Sequence, residues 1–189
     1  MSVSQAVCNI KQVHGKTVVT AKKGSASAIA EADAIVTNEH DLPIVIRTAD
    51  CLPIFLLDPQ EHVIGLVHAG WKGTKEGIVM KTINFMRENF FSKTNAIKAA
   101  LGPAIRSCHY EVGEEFHDSF KRNLLPRNGK LYFDLIQENK DQLHEIGVLE
   151  KNIFDSGRCS VCDQHYFSHR RDGAKAGRML SLMMIKSED

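Results

Sequence analysis

The chain has 189 residues, 43% of them hydrophobic and 25% charged, with a formal net charge of +1. That length can bury a core without disulfide staples, and the near-balanced charge offers no basic field for nucleic acid. The longest apolar runs, at 52–57 and 63–67, fall well short of the roughly 20 residues a membrane helix needs, and no basic start, apolar run and cleavage site open the chain. The expectation is therefore a cytoplasmic monomer or homodimer that engages neither nucleic acid nor membrane.

No internal repeat or low-complexity linker divides the sequence, and residues 22–27 read as a surface loop. β-Branched content predicts strands at 17–20, 43–47 and 52–57, then a fourth at 63–67 after the turn Asp58-Pro59-Gln60. Their continuous apolar runs imply a sheet covered on both faces. From 74 to 91, Ile78, Thr82, Phe85 and Met86 recur at helical spacing and predict one amphipathic helix, which places His68 at a strand-to-helix junction. A strand at 97–101 runs into Gly102-Pro103, with Cys108 on the following loop. Phe116 and Phe120, four residues apart, predict a second helix over 114–125. A third helix is expected at 133–146 and a last core strand at 179–185. Strands alternating with helices favour a layered α/β fold.

Several residues carry chemistry. His68 is followed by Gly70 and Gly73, which let the backbone turn tightly and approach a ligand; the competing reading is a core histidine satisfied by a carbonyl. Cys108 stands between Arg106 and His109 near an expected helix start, a setting that favours thiolate, as nucleophile or zinc ligand; an inert buried thiol is the alternative. Cys51 reads as a small core filler and its neighbour Asp50 as the more chemical of the two. Cys159 and Cys162 form a lone Cys-x-x-Cys pair, half of what a zinc ribbon requires, and read as structural thiols. His169, Arg170 and Arg171 suit capture of phosphate or carboxylate, or else form a solvated charge run. His14 precedes a Gly turn and fits ordinary loop chemistry as well as a site.

Taken in order, Gln12-Val-His-Gly15, Glu31-Ala-Asp-Ala-Ile-Val-Thr37, Thr48-Ala-Asp-Cys-Leu-Pro53, His68-Ala-Gly-Trp-Lys-Gly73, Cys108-His-Tyr-Glu-Val-Gly113 and Phe167-Ser-His-Arg-Arg-Asp-Gly173 resemble the motif series of the YfiH-like laccase-domain family. The resemblance runs from about Lys11 to the C-terminus. It implies one domain over 1–189 with a layered α/β/α arrangement and a mixed sheet. Family members carry several tens of residues before the first motif, so part of an N-terminal sheet is expected to be lacking, leaving an exposed edge strand.

The resemblance also implies an activity. The family's older label is multicopper polyphenol oxidoreductase, with copper as cofactor. Its present description is a zinc-dependent purine nucleoside phosphorylase acting on adenosine, inosine or guanosine and methylthioadenosine, with adenosine deaminase activity. Carried over to this chain, it implies His68 and Cys108 as metal ligands in a site with an open position. It implies a third ligand downstream of Cys108, where Leu124 and Leu125 stand; His109 and His117 are the imidazoles nearby. Phosphate, the co-substrate, would be held by Arg47, Arg170 and Arg171. In deamination a zinc-activated water would attack the purine ring, with His14 or Asp50 moving protons. Two other readings stay open: a metal-free cysteine hydrolase or deamidase in which Cys108 attacks and His68 activates it, and a non-catalytic family member that lost a metal ligand.

Overall fold

The hairpin formed by β6 (Leu52–Asp58) and β7 (Val63–Ala69) is the spine of the molecule. Its turn is closed by Asp58, whose carboxylate accepts the backbone N–H groups of Gln60 and Glu61 at 2.9 and 3.3 Å. All seven residues of β7 are buried, as both-face coverage requires. The computed structural model describes residues 7–24 and 28–187; the end of the expected surface loop, 25–27, lies outside the described residues.

Ahead of this hairpin come β1 (Cys8–Lys11), β2 (Val18–Thr20), β3 (Ala28–Glu31), β4 (Ala34–Thr37) and β5 (Ile44–Thr48). After it come helices α1 (Trp71–Lys75) and α2 (Ile78–Phe90), then β8 (Lys98–Leu101), β9 (Glu111–Val112), β10 (Leu124–Arg127) and β11 (Lys130–Phe133). The chain ends with α3 (Leu135–Glu145), β12 (Ile153–Asp155), the short α4 (His169–Asp172) and β13 (Met179–Met183). Six strands form a mixed sheet in the order β12-β8-β6-β7-β4-β2, four form another in the order β13-β5-β1-β3, and β10-β11-β9 make a small antiparallel sheet.

One face of the six-stranded sheet receives the helices: Ile78, Val79, Ile83 and Met86 of α2 pack with Ile54, Leu56 and Val67. The other face meets the four-stranded sheet through Ile35, Leu66, Ile44 and Ile46. This is an α/β fold with mixed sheets in layers, and burial of these aliphatic side chains, about 1.5–3 kcal/mol each, is its main source of stability. Asn139 of α3 donates to the Thr74 hydroxyl at 3.0 Å and Gln142 to the Thr74 carbonyl at 2.9 Å, which locks α3 to α1 through buried polar contacts.

The expected strands at 17–20, 43–47, 52–57, 63–67, 97–101 and 179–185 are all present with ends shifted by a residue or two. Two helices differ from expectation. The segment 74–91 is not one helix: Gly77, at φ +70°, breaks it into α1 and α2, a backbone state in which a side chain is strained. The segment 114–125 is a single 3-10 turn, Glu114–Asp118, followed by the β10–β11 hairpin. Asn128-Gly129 takes positive φ at both positions, 52° and 71°, the turn that a tight hairpin demands. Phe116 and Phe120 still point inward, but as part of an aromatic cluster in which Phe120 and Phe133 have ring centroids 4.2 Å apart.

Candidate functional site

Sheet register brings the site together. β4 pairs with β7 so that Ala34 lies opposite Val67, which sets Asp33 beside His68. β6 pairs with β7 so that Leu52 lies opposite Ala69, which sets Cys51 beside Gly70. His14 arrives on the loop between β1 and β2. It sits in the left-handed region at φ +59°, a cost borne by the surroundings: the Asp33 carboxylate accepts the backbone N–H groups of Val13, His14 and Gly15 at 3.3, 2.9 and 2.6 Å. The same carboxylate accepts from Nδ1 of His68 at 2.7 Å, and the Asp33 carbonyl accepts from the His68 backbone N–H at 2.7 Å. Asp33 is fully buried and is the hub of the arrangement.

With Nδ1 of His68 committed to Asp33, Nε2 is the nitrogen left for a ligand. His14, Cys51 and His68 each offer one donor atom, all within 4.8 Å of one another. The two imidazoles meet edge to face, with centroids 4.8 Å apart. Burial opposes charge on His68, but Asp33 and Cys51 outweigh it and lift its pKa to about 9. Burial likewise opposes ionisation of Cys51, yet His14 and His68 draw the thiol down to about 7. Gly70 lets the group close up: a Cβ at that position would lie 3.0 Å from Cys51 Sγ and 3.3 Å from His14 Cδ2, crowding both.

This group opens into a cavity of about 630 Å³, within the range of small-molecule sites. Arg47, Arg170 and Arg178 line it together with Tyr110 and His169. The Arg170 guanidinium lies 5.4 Å from the Tyr110 ring centroid and donates to the Glu111 carbonyl at 2.9 Å. Burial, with Cys51 and Asp50 nearby, raises the Tyr110 pKa well above its ordinary value, so its hydroxyl keeps its proton.

The other expected site residues have different placements. Asp50, at φ +84°, lines the cavity but accepts from the Ser160 hydroxyl at 2.7 Å and from the Arg170 backbone N–H at 2.6 Å, so both its oxygens anchor the C-terminal segment. Arg171 does not line the cavity: its guanidinium donates to the carbonyls of Ser160, Val161 and Tyr166 and pairs with Asp172. Arg47 and Arg170 do line it. Cys108 is not joined to His68. It stands on the loop after β8 in a separate donor group with His109, Cys159 and Cys162, because β8 is two strands removed from β7 in the sheet and its loop turns toward β12. Leu124 and Leu125, where a third ligand downstream of Cys108 was expected, belong to β10, and His117 pairs with Glu114 at the surface. The partners of His68 come instead from upstream.

Sequence reasoning undervalued Cys51 and passed over Asp33, Tyr110 and Arg178. The signal for Asp33 and Cys51 was present, since each sits in a motif immediately before a buried strand. Only strand pairing reveals that those two strands flank the one carrying His68.

The comparisons with known proteins bear on the family and the fold. The family model described as multi-copper polyphenol oxidoreductase laccase matches residues 1–186. A purine nucleoside phosphorylase of Aquifex aeolicus is 43% identical over 155 residues, which cover 82% of this chain and 71% of that protein. An adenosine deaminase, RL5, from an unknown prokaryotic organism is 36% identical over 162 residues, covering 80% of this chain and 62% of that protein. In solved structures, Bacillus licheniformis hypothetical protein YfiH superposes with a TM-score of 0.91 at 28% identity, covering 96% of this chain and 75% of that one. No helix of the described residues is long and apolar enough to cross a membrane. With the motif order, the fold and the family match in agreement, the chain belongs to the multi-copper polyphenol oxidoreductase laccase family, whose YfiH-like members it resembles over nearly its whole length.

Proposed function

We propose that the chain is a zinc-dependent purine nucleoside phosphorylase that also deaminates adenosine, with the metal held by His14, Cys51 and His68. The observation that carries this reading is a three-donor group lining the same cavity as three arginines. Two imidazoles and one thiol suit zinc better than a hard cation, and three protein ligands leave the open position a catalytic zinc needs. Asp33 on Nδ1 of His68 is the outer-shell carboxylate that such a ligand ordinarily has. When bound, zinc would supply Lewis-acid charge and make water more acidic. The names of the relatives, purine nucleoside phosphorylase and adenosine deaminase, support the same substrate class.

The cavity's own residues support phosphorolysis. Arg47, Arg170 and Arg178 offset the charge of inorganic phosphate in the cavity they line, and a phosphate oxygen attacks the anomeric carbon as the glycosidic C–N bond breaks. The purine leaves with the bonding electron pair and takes up a proton. Tyr110, kept protonated in its buried setting, is placed to donate a hydrogen bond to a nucleoside. Methylthioadenosine, inosine and guanosine are the further substrates in this reading, and the cytoplasm its compartment. The metal-free alternative, with Cys108 attacking under His68, lacks support from the placement, since the two lie in separate groups.

Purified protein is incubated with adenosine and inorganic phosphate, and the products are separated. Adenine with ribose 1-phosphate, and inosine with ammonia, are expected from the wild type and not from Cys51→Ser. Equal product from both proteins, or none from either, overturns the reading.

A further inference from the structure

A second group of donors lies outside the pocket. Cys108 and His109 come from the loop after β8, and Cys159 and Cys162 from the loop after β12; a backbone bridge pairs Ala104 with Cys159. We propose that Cys108, His109, Cys159 and Cys162 bind a zinc ion of their own in a closed tetrahedral site that ties these two loops together.

The case rests on distances. Four ligands placed tetrahedrally at ordinary zinc bond lengths stand about 3.8 Å apart for sulfur to sulfur and about 3.6 Å for sulfur to nitrogen. Cys108 Sγ lies 3.6 Å from Cys159 Sγ and 3.7 Å from Cys162 Sγ. His109 Nδ1 lies 3.3 Å from Cys108 Sγ, 3.3 Å from Cys162 Sγ and 4.0 Å from Cys159 Sγ. These five edges match a coordination tetrahedron, and the sulfur separations are far beyond the roughly 2.0 Å of a disulfide. All of these thiols are free.

Four protein ligands leave no open position, so this is a structural ion, chemically unlike the three-ligand group in the pocket. The clamp it forms has a use: Tyr110 follows His109 directly, and Ser160, which follows Cys159, holds Asp50 together with Arg170. The ion therefore sets the wall of the pocket that carries Tyr110 and Arg170.

Metal content of protein purified without chelators tests the site independently of any catalytic activity. About two zinc ions per chain are expected in the wild type, about one in Cys51→Ser and about one in Cys162→Ser. Cobalt(II) alone, added to metal-stripped Cys51→Ser, should give a thiolate-to-cobalt charge-transfer band about three times as intense as a single-thiolate site gives in Cys162→Ser/Cys159→Ser. Should Cys51→Ser fail to fold, the wild type's own cobalt spectrum decides, since about four thiolates, against about one, must contribute. Zinc wholly lost from folded Cys51→Ser, a cobalt band from one thiolate only, or a Cys108–Cys159 disulfide in unreduced peptides overturns the proposal.

Discussion

Two groups of histidine and cysteine stand in one small domain, and they are built in opposite ways. Cys51 and His68 lie at the ends of buried strands and His14 on the loop between β1 and β2, with the fully buried Asp33 carboxylate bonded to His68 and to the His14 backbone, and all three line one cavity. Cys108, His109, Cys159 and Cys162 lie on two surface loops, within contact distance of one another, and none of them lines that cavity. Residue types alone do not separate the two. What separates them is the number of donors and what fills the remaining direction: three donors and open space suit chemistry, whereas four donors and no space suit bracing.

The comparison breaks most sharply at His68. His68→Ala should cost more than about 100-fold in phosphorolysis, beyond what loss of an outer-shell partner does, and release the pocket metal while the loop-bound ion stays. Turnover and metal content measured on the same sample check both halves. Asp33→Asn comes next, with about 10- to 100-fold lower metal affinity or activity, because the asparagine cannot hold Nδ1 of His68 as a carboxylate does. A competition titration against a zinc chelator reads it; unaltered affinity would mean that His68 orients itself.

Arg170→Ala probes the wall between the two groups. The KM for phosphate should rise about tenfold with a smaller change in kcat, as expected when a binding charge is lost. Arg171→Ala should act mainly on thermal stability, since its guanidinium holds carbonyls of the 160–166 loop and does not line the cavity. A KM effect from Arg171→Ala as large as that from Arg170→Ala would reverse the distinction.

The smallest effect concerns pH. Asp155 is partly buried, which opposes its ionisation, but the Gly157 backbone N–H, Lys140 and Arg106 outweigh that and hold its pKa below the ordinary carboxylate value. A depressed folded-state pKa means stability that is present above the unfolded value and is lost as pH falls through the folded one. Asp155→Asn should therefore remove about 1–2 kcal/mol near neutral pH and flatten the loss of stability on acidification below about pH 4. Denaturant unfolding at a series of pH values measures both.

Much of this fold was legible from the residues themselves. The continuous apolar runs of β6 and β7 can only be strands covered on both faces, and they are. Phe116 and Phe120 misled because helical spacing between two aromatics also suits a turn that feeds an aromatic cluster; Asn128-Gly129, a strong hairpin signal, outweighed it. In the site, His68 and its glycines stood out locally, while Cys51 looked like a core filler because its imidazole partners are distant in sequence, His68 17 positions on across the β6–β7 pair and His14 on an earlier loop.

The sequence by itself determined the family, the main strands of the sheet and the residues capable of metal chemistry, because composition, periodicity and ordered motifs are local properties. Which of those residues come together was decided only by tertiary structure. His68 draws its partners from Asp33, Cys51 and His14 through strand register and one buried carboxylate, and Cys108 finds Cys159 and Cys162 because two loops end side by side. Donor identity is written along the chain; donor geometry depends on pairings between distant strands.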